Sequence, residues 1–304
     1  MNDTQVSLTA QLTAFARAYH ATHDDPKIFD DFLAKDILTA QEQAFFGQNL
    51  AKALAFFEPE SVAAYPDEAS ALARVMQIQS TPVTISRSRY TEDALEAAAQ
   101  QGVRQYVILG AGLDTFAFRR PDLMERLDVF EIDHPATQAF KRQRIGELGW
   151  ECPAKLHFVP VDFSKEDLVT ALEQSSYDPK APSFFSWLGV TYYLTPEAVF
   201  TTLRAIASLA ATGSTLVFDY MDTDAFDPEC ASTQSRRVRE ITRNAGEPLQ
   251  TGFDPATLGA ELAGVGLRLE ENLSPEDIEA RFFHGRGTRY HALEHTHFAR
   301  ATVE

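Results

Sequence analysis

The sequence predicts an α/β fold, in which a doubly wound and mostly parallel sheet carries an antiparallel hairpin at its C-terminal edge and a helical cap at its N-terminus. Two observations lead to this prediction. From residue 102 onwards, short apolar runs alternate with amphipathic stretches, which is typical of a parallel sheet covered by helices on both faces. Before that point, apolar residues recur at helical spacing. We therefore assign residues 1–101 to a cap or lid and residues 102–304 to the core.

The cap is predicted to consist of helices. Four apolar residues near the N-terminus recur at helical spacing: Leu8, Leu12, Phe15 and Tyr19. The segment TAQE at 39–42 has the Thr-x-x-Glu form of a capping box, and an apolar stripe follows it, so another helix begins there. A helix over about 86–100 is expected to end at Gly102, because glycine readily adopts the conformation of a helix C-terminal cap.

Five apolar runs in the core are predicted strands: YVILG (106–110), DVFEID (128–133), LHFVPVDF (156–163), SFFSWLG (183–189) and TLVFDY (215–220). Helix-start signals lie between them, at Pro135, SKED (164–167) and TPE (195–197). Near the C-terminus, 267–273 and 295–303 read as two further strands without a full-length helix between them, which favours an antiparallel hairpin at the sheet edge.

The stretch 221–250 is predicted to be an insertion over the mouth of the sheet. It is charged and carries an arginine-rich helical pattern formed by Arg236, Arg237, Arg239 and Arg243. Residues 281–290 mix aromatic and basic side chains with two glycines. That composition suits either a mobile substrate loop or an apolar anchor for the tail of the chain.

Composition limits the classes of partner. The 27 basic and 44 acidic residues give a net charge of −17, which argues against nucleic acid and anionic membranes. The two cysteines, Cys152 and Cys230, cannot form a disulfide framework, and no apolar run has the length of a membrane span or a secretory signal. These features favour a cytoplasmic protein whose partners include neither nucleic acid nor a membrane.

A glycine loop follows the first predicted strand and is the first candidate for ligand binding. Gly110 and Gly112 let the backbone turn tightly and leave its N–H groups accessible to a ligand. In open α/β sheets, ligands bind at the carboxyl ends of the strands. A pair of glycines alone is weak evidence, because a plain strand-to-helix turn looks the same.

Acidic residues at the ends of the next two strands strengthen the case for a nucleotide. Asp133 ends the second strand, where a carboxylate accepts hydrogen bonds from both ribose hydroxyls, and Glu131 lies on the same face. Asp162 and Phe163 end the third strand, and an acid beside an aromatic ring suits an adenine base. The alternative is that Asp133 and Asp162 only cap the helices that follow.

The loop does not fit a pyridine nucleotide. The dinucleotide fingerprint has a third glycine where Thr115 stands, and Asp114 at the start of the next helix would repel a pyrophosphate. A cofactor with adenine and ribose but no phosphate fits better. S-adenosylmethionine is such a cofactor, and its cationic sulfonium is attracted to acidic surroundings. A nicotinamide-dependent oxidoreductase and a non-catalytic cofactor-binding protein remain as alternatives.

Several motifs together resemble the leucine carboxyl methyltransferase family, and most of all its bacterial members with small-molecule substrates, such as the tetracenomycin-type polyketide O-methyltransferases. The motifs are SRSRYTEDAL (86–95), VILGAGLDTFAFR (107–119), FEIDHPATQAFKR (130–142), VPVDF (159–163) and LGVTYYLTPEAV (188–199). They cover about 60–200 well and the C-terminal third poorly. The resemblance implies a Rossmann-like class I methyltransferase sheet and transfer of a methyl group from S-adenosylmethionine.

The resemblance also implies a set of cofactor-binding residues. Arg89 is expected to pair with the methionine carboxylate, and Arg17 to approach it. The residues expected to line the remaining parts of the cofactor are Gly110, Ala111 and Gly112 at the methionine and ribose, Asp133 and Glu131 at the ribose, Asp162 and Phe163 at the adenine, and Leu188 beneath the methyl group.

Leu188 departs from the family pattern, and the departure bears on the substrate. Protein-carboxyl members of the family and many of its bacterial members carry Glu at this position, in a pattern like EGVLMYL, and Leu188 cannot form a hydrogen bond to the cofactor. This difference favours a small-molecule acceptor over the acidic C-terminal tail of a protein, which the net charge of −17 also disfavours. Transfer to a protein C-terminal carboxylate remains the alternative.

The sequence assigns no catalytic residue and no metal site. His20 or His23 could act as a general base, but histidines beside acidic residues are commonly only ion-paired. His295 and His297 share one face of a strand near His291, but no third metal ligand is evident. A carboxylate acceptor is preferred slightly over a hydroxyl, because a carboxylate is ionised at neutral pH and needs no base.

Overall fold

The computed structural model describes residues 6–162, 167–244 and 246–304. These residues form one seven-stranded sheet: β1 (Gln105–Leu109), β2 (Asp128–Asp133), β3 (Leu156–Pro160), β4 (Ser183–Trp187), β5 (Thr215–Met221), β6 (Leu267–Leu273) and β7 (Thr296–Val303). The strand order is β3-β2-β1-β4-β5-β7-β6. Strands β1 to β5 are parallel, and β7 is antiparallel to both β5 and β6. The predicted fold class and its edge hairpin are confirmed.

The strand order changes direction between β1 and β4: β2 and β3 lie on one side of β1, and β4 and β5 lie on the other. Leu109, the last residue of β1, pairs with Ile132 of β2 on one side and with Trp187 of β4 on the other. The loops that follow β1 and β4 therefore start side by side at the same edge of the sheet. This is the position at which open α/β sheets bind their ligands.

Helices precede the sheet and cover both of its faces. Those before the sheet are α1 (Leu8–His23), α2 (Ala34–Ile37), α3 (Ala40–Phe57), α4 (Glu68–Ile78) and α5 (Thr81–Gln100). Those that follow are α6 (Phe116–Arg119), α7 (Pro121–Met124), α8 (Pro135–Glu147), α9 (Leu168–Glu173), α10 (Pro196–Leu209), α11 (Thr233–Asn244), α12 (Leu258–Ala263) and α13 (Pro275–Ile278). None of the described helices has the length and apolar character needed to cross a membrane.

The local sequence signals explain where these helices begin and end. Thr39 and Glu42 form both hydrogen bonds of the predicted capping box, so α3 starts at the next residue after Thr39. Helix α5 starts at Thr81, earlier than the sequence predicted, because Pro82 suits the first turn of a helix. Gly102, just beyond the end of α5, has a φ of 108°, as expected for its terminating role.

The hydrophobic core lies on both faces of the sheet, and the side chains of β1 contribute to both sides. Val107 and Leu109 face a cluster that includes α9, α10 and α12, whereas Tyr106 and Ile108 face a cluster that includes α5 and α7. All four side chains are buried. This explains why β1 appears in the sequence as a continuous apolar run rather than an alternating one.

A buried carboxylate joins the N-terminal helices to the core. Asp31 lies between α1 and α2 and is 1% exposed. Its carboxylate accepts hydrogen bonds from Arg17 Nε at 2.8 Å, from Thr115 Oγ1 at 2.5 Å and from the Ala34 N–H at 3.1 Å, and Arg119 Nε lies 3.6 Å away. Because Arg17 belongs to α1 and Thr115 follows the glycine loop, Asp31 fixes the position of one relative to the other.

Helix α11 lies within the predicted insertion at 221–250. None of its 12 described residues is buried. It is held instead by arginines that donate to backbone carbonyls: Arg237 binds Phe57 O on α3, and Arg239 binds Phe226 O at 3.3 Å. The helix is therefore docked by a few polar contacts. The division of the chain at residues 101 and 102 into lid and core remains a prediction.

Candidate functional site

The loop after β1 requires glycine for both conformational and steric reasons. Gly110 and Gly112 have φ values of 73° and 53°, in the left-handed region that disfavours other residues. A Cβ atom at Gly110 would lie 2.6 Å from Val190 Cγ2, and one at Gly112 would lie 3.2 Å from Ala10 Cβ. The loop is thus approached closely by the segment after β4 and by the first turns of α1.

Asp133 is hydrogen-bonded directly to the glycine loop. Its carboxylate accepts from the Gly112 N–H and, at 2.6 Å, from the His134 N–H, while the Ala111 N–H donates to Ile132 O at 3.1 Å. Burial raises the pKa of Asp133, and the two backbone N–H groups oppose that effect. A carboxylate has about four acceptor positions, so the remaining ones could accept hydroxyl groups of a ligand.

Glu131 shares the face of Asp133, as predicted, but its carboxylate is paired with a lysine. Glu131 Oε2 lies 2.5 Å from Lys141 Nζ of α8, and both side chains are 1% exposed. Oε1 has no hydrogen-bond partner in the part of the chain that the structure describes. Burial raises the pKa of Glu131 to about 7, the nearby Lys141 opposes this shift, and the charges of Asp114 and Asp133 add to it. The cofactor contact expected of Glu131 remains a prediction.

The end of β3 lies beside Asp133. The Val161 N–H donates to Asp133 O at 2.9 Å, and Asp162 follows immediately, with Oδ2 3.9 Å from His134 Nε2. Phe163 lies outside the described residues. Of the acid and ring expected at the adenine, the structure therefore locates only the acid.

A buried carboxylate on β5 organises the loop after β4. Leu188 follows β4 and packs, partly buried, against the cluster on the α5 side of the sheet. The Gly189 N–H donates to Asp219 Oδ1 at 2.6 Å. Asp219 Oδ2 accepts from Arg87 Nη1 at 2.7 Å, and the same nitrogen donates to the Tyr192 hydroxyl at 3.1 Å. Burial lowers the pKa of Arg87, but Asp219 and Tyr192 together outweigh this effect and the pKa is raised overall.

Arg87, rather than Arg89, is the arginine of α5 that contacts this loop, and the cofactor contact expected of Arg89 remains a prediction. Arg89 Nη2 pairs with Asp93 at 2.6 Å and lies 3.7 Å from Glu96, both on the same helix. Residues two apart on a helix point in directions roughly 200° apart, so only one of the two arginines can face the sheet. The sequence already indicated that Arg89 points away from the sheet. Asp93 stands four residues after it, and such a spacing is typical of an ion pair on the solvent-facing side of a helix.

Helix α1 lies over the glycine loop. Arg17 Nη2 donates to Leu113 O at 2.7 Å, and Arg17 Nε binds Asp31. Arg17 therefore positions the backbone of the loop. Both of these hydrogen bonds are made to protein atoms, and neither points toward the open side of the site. Thr9, near the start of α1, donates to Glu247 at the end of the insertion.

A cavity of about 310 Å³ opens beside the Arg87–Asp219 pair. Its lining comes from the ends of β5 and α4, from α11, and from residues 289–296; among the lining residues are Gln79, Tyr192, Tyr193, Asp219, Met221, Gln234, Val238 and Leu293. A second, more polar cavity of about 280 Å³ lies between the end of α1 and residues 287–290. Gln77 and Arg289 line both cavities, so the two adjoin.

The segment 281–290 serves as the apolar anchor that its composition suggested, and its last residues reach the two cavities. Phe282 and Phe283 are buried and anchor the tail. Tyr290 donates its hydroxyl to Asp24 at 2.6 Å, and Arg289 lines both cavities.

His20 is a structural residue, which corrects its consideration as a base. Nδ1 is hydrogen-bonded to Asp24 Oδ2 at 2.7 Å, and Nε2 accepts from the Ile28 N–H at 2.9 Å. A general base needs a free lone pair facing the substrate, and the lone pair of His20 is occupied. His23 is exposed, lines the second cavity and stacks on Tyr19.

The C-terminal histidines converge on one carboxylate. His295 Nδ1 lies 2.9 Å from Asp222 Oδ1, and His297 Nε2 lies 3.3 Å from Asp222 Oδ2. His295 Nε2 accepts from the Ser232 N–H at 3.3 Å. Within the described ranges, no group of three or more His, Cys, Asp or Glu residues is arranged to hold a metal ion.

Comparison with known proteins agrees with this geometry. Residues 10–207 match the family described as leucine carboxyl methyltransferase. The chain belongs to this family. YktD of Bacillus subtilis, named as an S-adenosyl-L-methionine-dependent methyltransferase, is 38% identical over 309 residues that cover 99% of both chains. A similarly named protein of Mycolicibacterium gilvum is 35% identical over 236 residues, which cover 77% of this chain and 73% of the relative.

The fold is also found in a solved structure. A DUF574 family protein from Streptomyces avermitilis superposes with a TM-score of 0.60 over 99% of both chains, at 12% sequence identity. This similarity concerns the fold alone. The family match and the relatives show that the chain is an S-adenosylmethionine-dependent methyltransferase. The alternative of a nicotinamide-dependent oxidoreductase is therefore wrong.

The residues around the glycine loop fit S-adenosylmethionine. Gly110 and Gly112 turn the loop backbone at positive φ, and Asp133 lies at the edge of the loop. Asp114 Oδ1 accepts from the Phe116 N–H at 2.6 Å and so occupies the helix start at which a pyrophosphate would bind. The donor set thus suits a nucleoside without phosphates.

We expect the Glu131–Lys141 pair to make stability depend on pH. A folded-state pKa near 7, above the usual 4.5, means that the unfolding free energy falls as pH rises from about 4.5 to about 7. Lys141→Met removes the opposing charge and raises the pKa of Glu131 further. The free energy of unfolding of the variant, measured with urea, should therefore be about 3–5 kcal/mol lower than that of wild type at pH 8. At pH 5.5 the difference should be much smaller.

Lys35→Met provides the matched control. Lys35 pairs with Asp36 at 2.8 Å on the surface, so its loss should cost less than about 1 kcal/mol at either pH. If Lys141→Met lowered the free energy of unfolding equally at both pH values, Glu131 would be ionised at both. That result would contradict the raised pKa of Glu131.

Proposed function

We propose that this methyltransferase transfers the methyl group to an oxygen atom of a small molecule bound in the 310 Å³ cavity. One observation carries the proposal. Asp219 and Tyr192 line the cavity, and the same two residues bind Arg87 and the Gly189 backbone, which lie beside the glycine loop. Asp219 and Tyr192 thus lie where the cavity meets the candidate cofactor site.

Four residues would hold the cofactor. Asp133 would accept from the ribose hydroxyls, and Gly110 and Gly112 would let the nucleoside approach the backbone. Arg87 would bind the methionine carboxylate: among the described residues, the structure gives protein partners only to its Nη1, and a guanidinium has further N–H donors. When bound, S-adenosylmethionine supplies a methyl group on a cationic sulfur, which an oxygen nucleophile takes by in-line displacement.

The size and lining of the cavity favour a small acceptor over a protein tail. A volume of about 310 Å³ lies at the lower end of the range for small-molecule pockets. Its walls combine apolar groups, such as Met221, Val238 and Leu293, with a few polar ones. Such a site aligns the reacting oxygen with the methyl group and excludes water, which supplies most of the acceleration in a displacement of this kind.

The groups around the cavity support a carboxylate as the nucleophile. A carboxylate is already ionised near pH 7, whereas a phenol with a pKa near 10 needs a base. His295, which lines the cavity, has both ring nitrogens engaged by Asp222 and the Ser232 N–H. Arg289 lines both cavities and forms no ion pair with any described residue, so its charge is available to an anionic acceptor.

The assignment of Arg87 and Asp133 to the cofactor predicts how their variants bind S-adenosylhomocysteine. Arg87→Lys should weaken binding at least tenfold because the fork of donors is lost, and Arg89→Lys should change it less than about twofold. Asp133→Ala should cost about 1.5–3 kcal/mol of binding free energy. Isothermal titration calorimetry measures all three. If Arg89→Lys weakened binding and Arg87→Lys did not, the assignment would be reversed.

The carboxylate preference predicts the chemistry of the product. The enzyme is supplied with S-adenosylmethionine carrying a tritiated methyl group and with a small-molecule fraction below about 1 kDa, and the labelled product is held at high pH. A methyl ester releases volatile tritiated methanol, as we expect, whereas an aryl methyl ether retains its label. Retained label would exclude a methyl ester and so contradict the carboxylate preference. Label found only in protein would refute the small-molecule proposal.

A further inference from the structure

Arg289 is an exposed cationic side chain that lines both cavities. It forms no hydrogen bond or ion pair with any residue in the described parts of the chain. The other basic side chains that line the 310 Å³ cavity are each paired with an acid: Arg74 with Glu58 at 2.6 Å, His291 with Glu279 at 3.1 Å and His295 with Asp222 at 2.9 Å. The guanidinium of Arg289 therefore keeps its hydrogen-bond donors available for a ligand.

The backbone beside Arg289 is held in place although its side chain is exposed. Tyr290, the next residue, is 3% exposed and donates its hydroxyl to Asp24 at 2.6 Å. The Tyr290 N–H donates to Thr288 Oγ1 at 2.8 Å. A buried anchor thus presents the arginine at the two cavities.

The segment 281–291 is basic in a strongly acidic chain. It contains three arginines and no acid, whereas the whole chain carries a net charge of −17. Arg281 pairs with Glu271 at 3.2 Å, and Arg286 donates to Arg281 O at 3.1 Å, so of the three arginines Arg289 is the one that lines the cavities. An anion is repelled by the protein as a whole, and a local cation of this kind offsets that repulsion.

Acidic side chains also line the cavities, but they do not neutralise Arg289. Asp24 is engaged by His20 and Tyr290. Asp25 in the second cavity and Glu294 in the first are exposed, and among the described residues neither forms an ion pair with Arg289. Water and salt screen exposed charges that are not in contact, so the arginine remains an anion-binding group.

Arg289 and the candidate cofactor site lie at different sides of the first cavity. Asp219 and Tyr192, where the cavity meets the cofactor site, line the first cavity only. The lining of the second cavity comes from the end of α1, from α4 and from residues 287–290, with no residue from a strand or from the glycine loop. Because Arg289 lines both cavities, it lies where the second begins. A ligand that fills the first cavity therefore has one end at the cofactor and another at Arg289.

An arginine is also poorly suited to hold the oxygen that reacts. Its charge-assisted hydrogen bonds stabilise an oxyanion before the reaction and weaken as the methyl group neutralises that oxygen. An interaction that is stronger in the ground state than in the transition state slows the chemical step. Arg289 is therefore better suited to a second group of the acceptor.

We propose that Arg289 binds an anionic group of the acceptor that is not methylated, at the end of the molecule remote from the transferred methyl group. The acceptor is accordingly a molecule with an apolar body, the reacting oxygen at one end and an anionic substituent such as a carboxylate at the other. This inference rests on the proposed function, because it takes the first cavity as the acceptor site. Arg289 thereby selects anionic acceptors over neutral ones of the same shape.

Binding of two probes of the same shape and different charge tests the proposal. The probes are 2-naphthoate, an anion, and 2-acetonaphthone, a neutral ketone. Their dissociation constants are measured by calorimetry with S-adenosylhomocysteine at saturation. Wild type should bind 2-naphthoate about tenfold more tightly than the ketone, as a charge-assisted hydrogen bond allows.

Three variants separate the role of Arg289 from general electrostatics. Arg289→Gln should remove the preference for 2-naphthoate and leave ketone binding and the melting temperature unchanged, because the side chain has no partner among the described residues. Arg289→Lys, which keeps the charge but loses the fork of donors, should retain part of the preference. Arg286→Gln makes the same charge change three residues away, at an exposed side chain outside the lining of either cavity, and should keep the preference.

A crystal structure with S-adenosylhomocysteine and 2-naphthoate tests the position of the anionic group. The carboxylate should lie within about 3 Å of the Arg289 guanidinium, with the naphthalene ring in the first cavity. A carboxylate placed beside the cofactor sulfur would show that the anion is held at the reacting position, contrary to the proposal.

Three binding results would also overturn the proposal. They are equal binding of the two probes to wild type, absence of 2-naphthoate binding, and survival of the preference in Arg289→Gln. The proposed function fails separately: it requires only that labelled methyl groups reach a small molecule, which the tritium experiment measures without reference to Arg289.

Discussion

The buried ion pair between Arg87 and Asp219 is the contact on which the candidate site depends. It joins α5 of the N-terminal region to β5 of the sheet, and Asp219 also fixes the loop after β4 through the Gly189 N–H. Asp219 is fully buried, so removal of either partner would leave an uncompensated charge at a cost of about 3–5 kcal/mol. One pair of charges thereby sets the boundary between the glycine loop and the neighbouring cavity.

Features that depend on local sequence were predictable. The strands of the sheet appear as apolar runs because both faces are covered, and Gly110 and Gly112 mark a turn with positive φ. Asp133 could be assigned to the edge of that loop, since the strand order of such sheets brings the ends of β1 and β2 together. The capping box at Thr39 and Glu42 is equally local.

Features that depend on tertiary contact were not predictable in the same way. That Arg87 rather than Arg89 contacts the loop after β4 depends on the helical phase of α5, and in the sequence only the i+4 acid, Asp93, indicated it. Lys141 reaches Glu131 from a different element, and the cavity combines segments from α4 to residue 296 that share no motif. Residues of this kind are brought together by packing alone.

Hydrogen–deuterium exchange with and without S-adenosylhomocysteine tests the central claim most directly, since it locates the cofactor without substitutions. The account predicts slower exchange in peptides that cover 106–115, 131–135 and 187–193, with no change in α12 at 258–263, which packs against the edge strand β6. Protection confined to other segments, with the glycine loop unchanged, would contradict it.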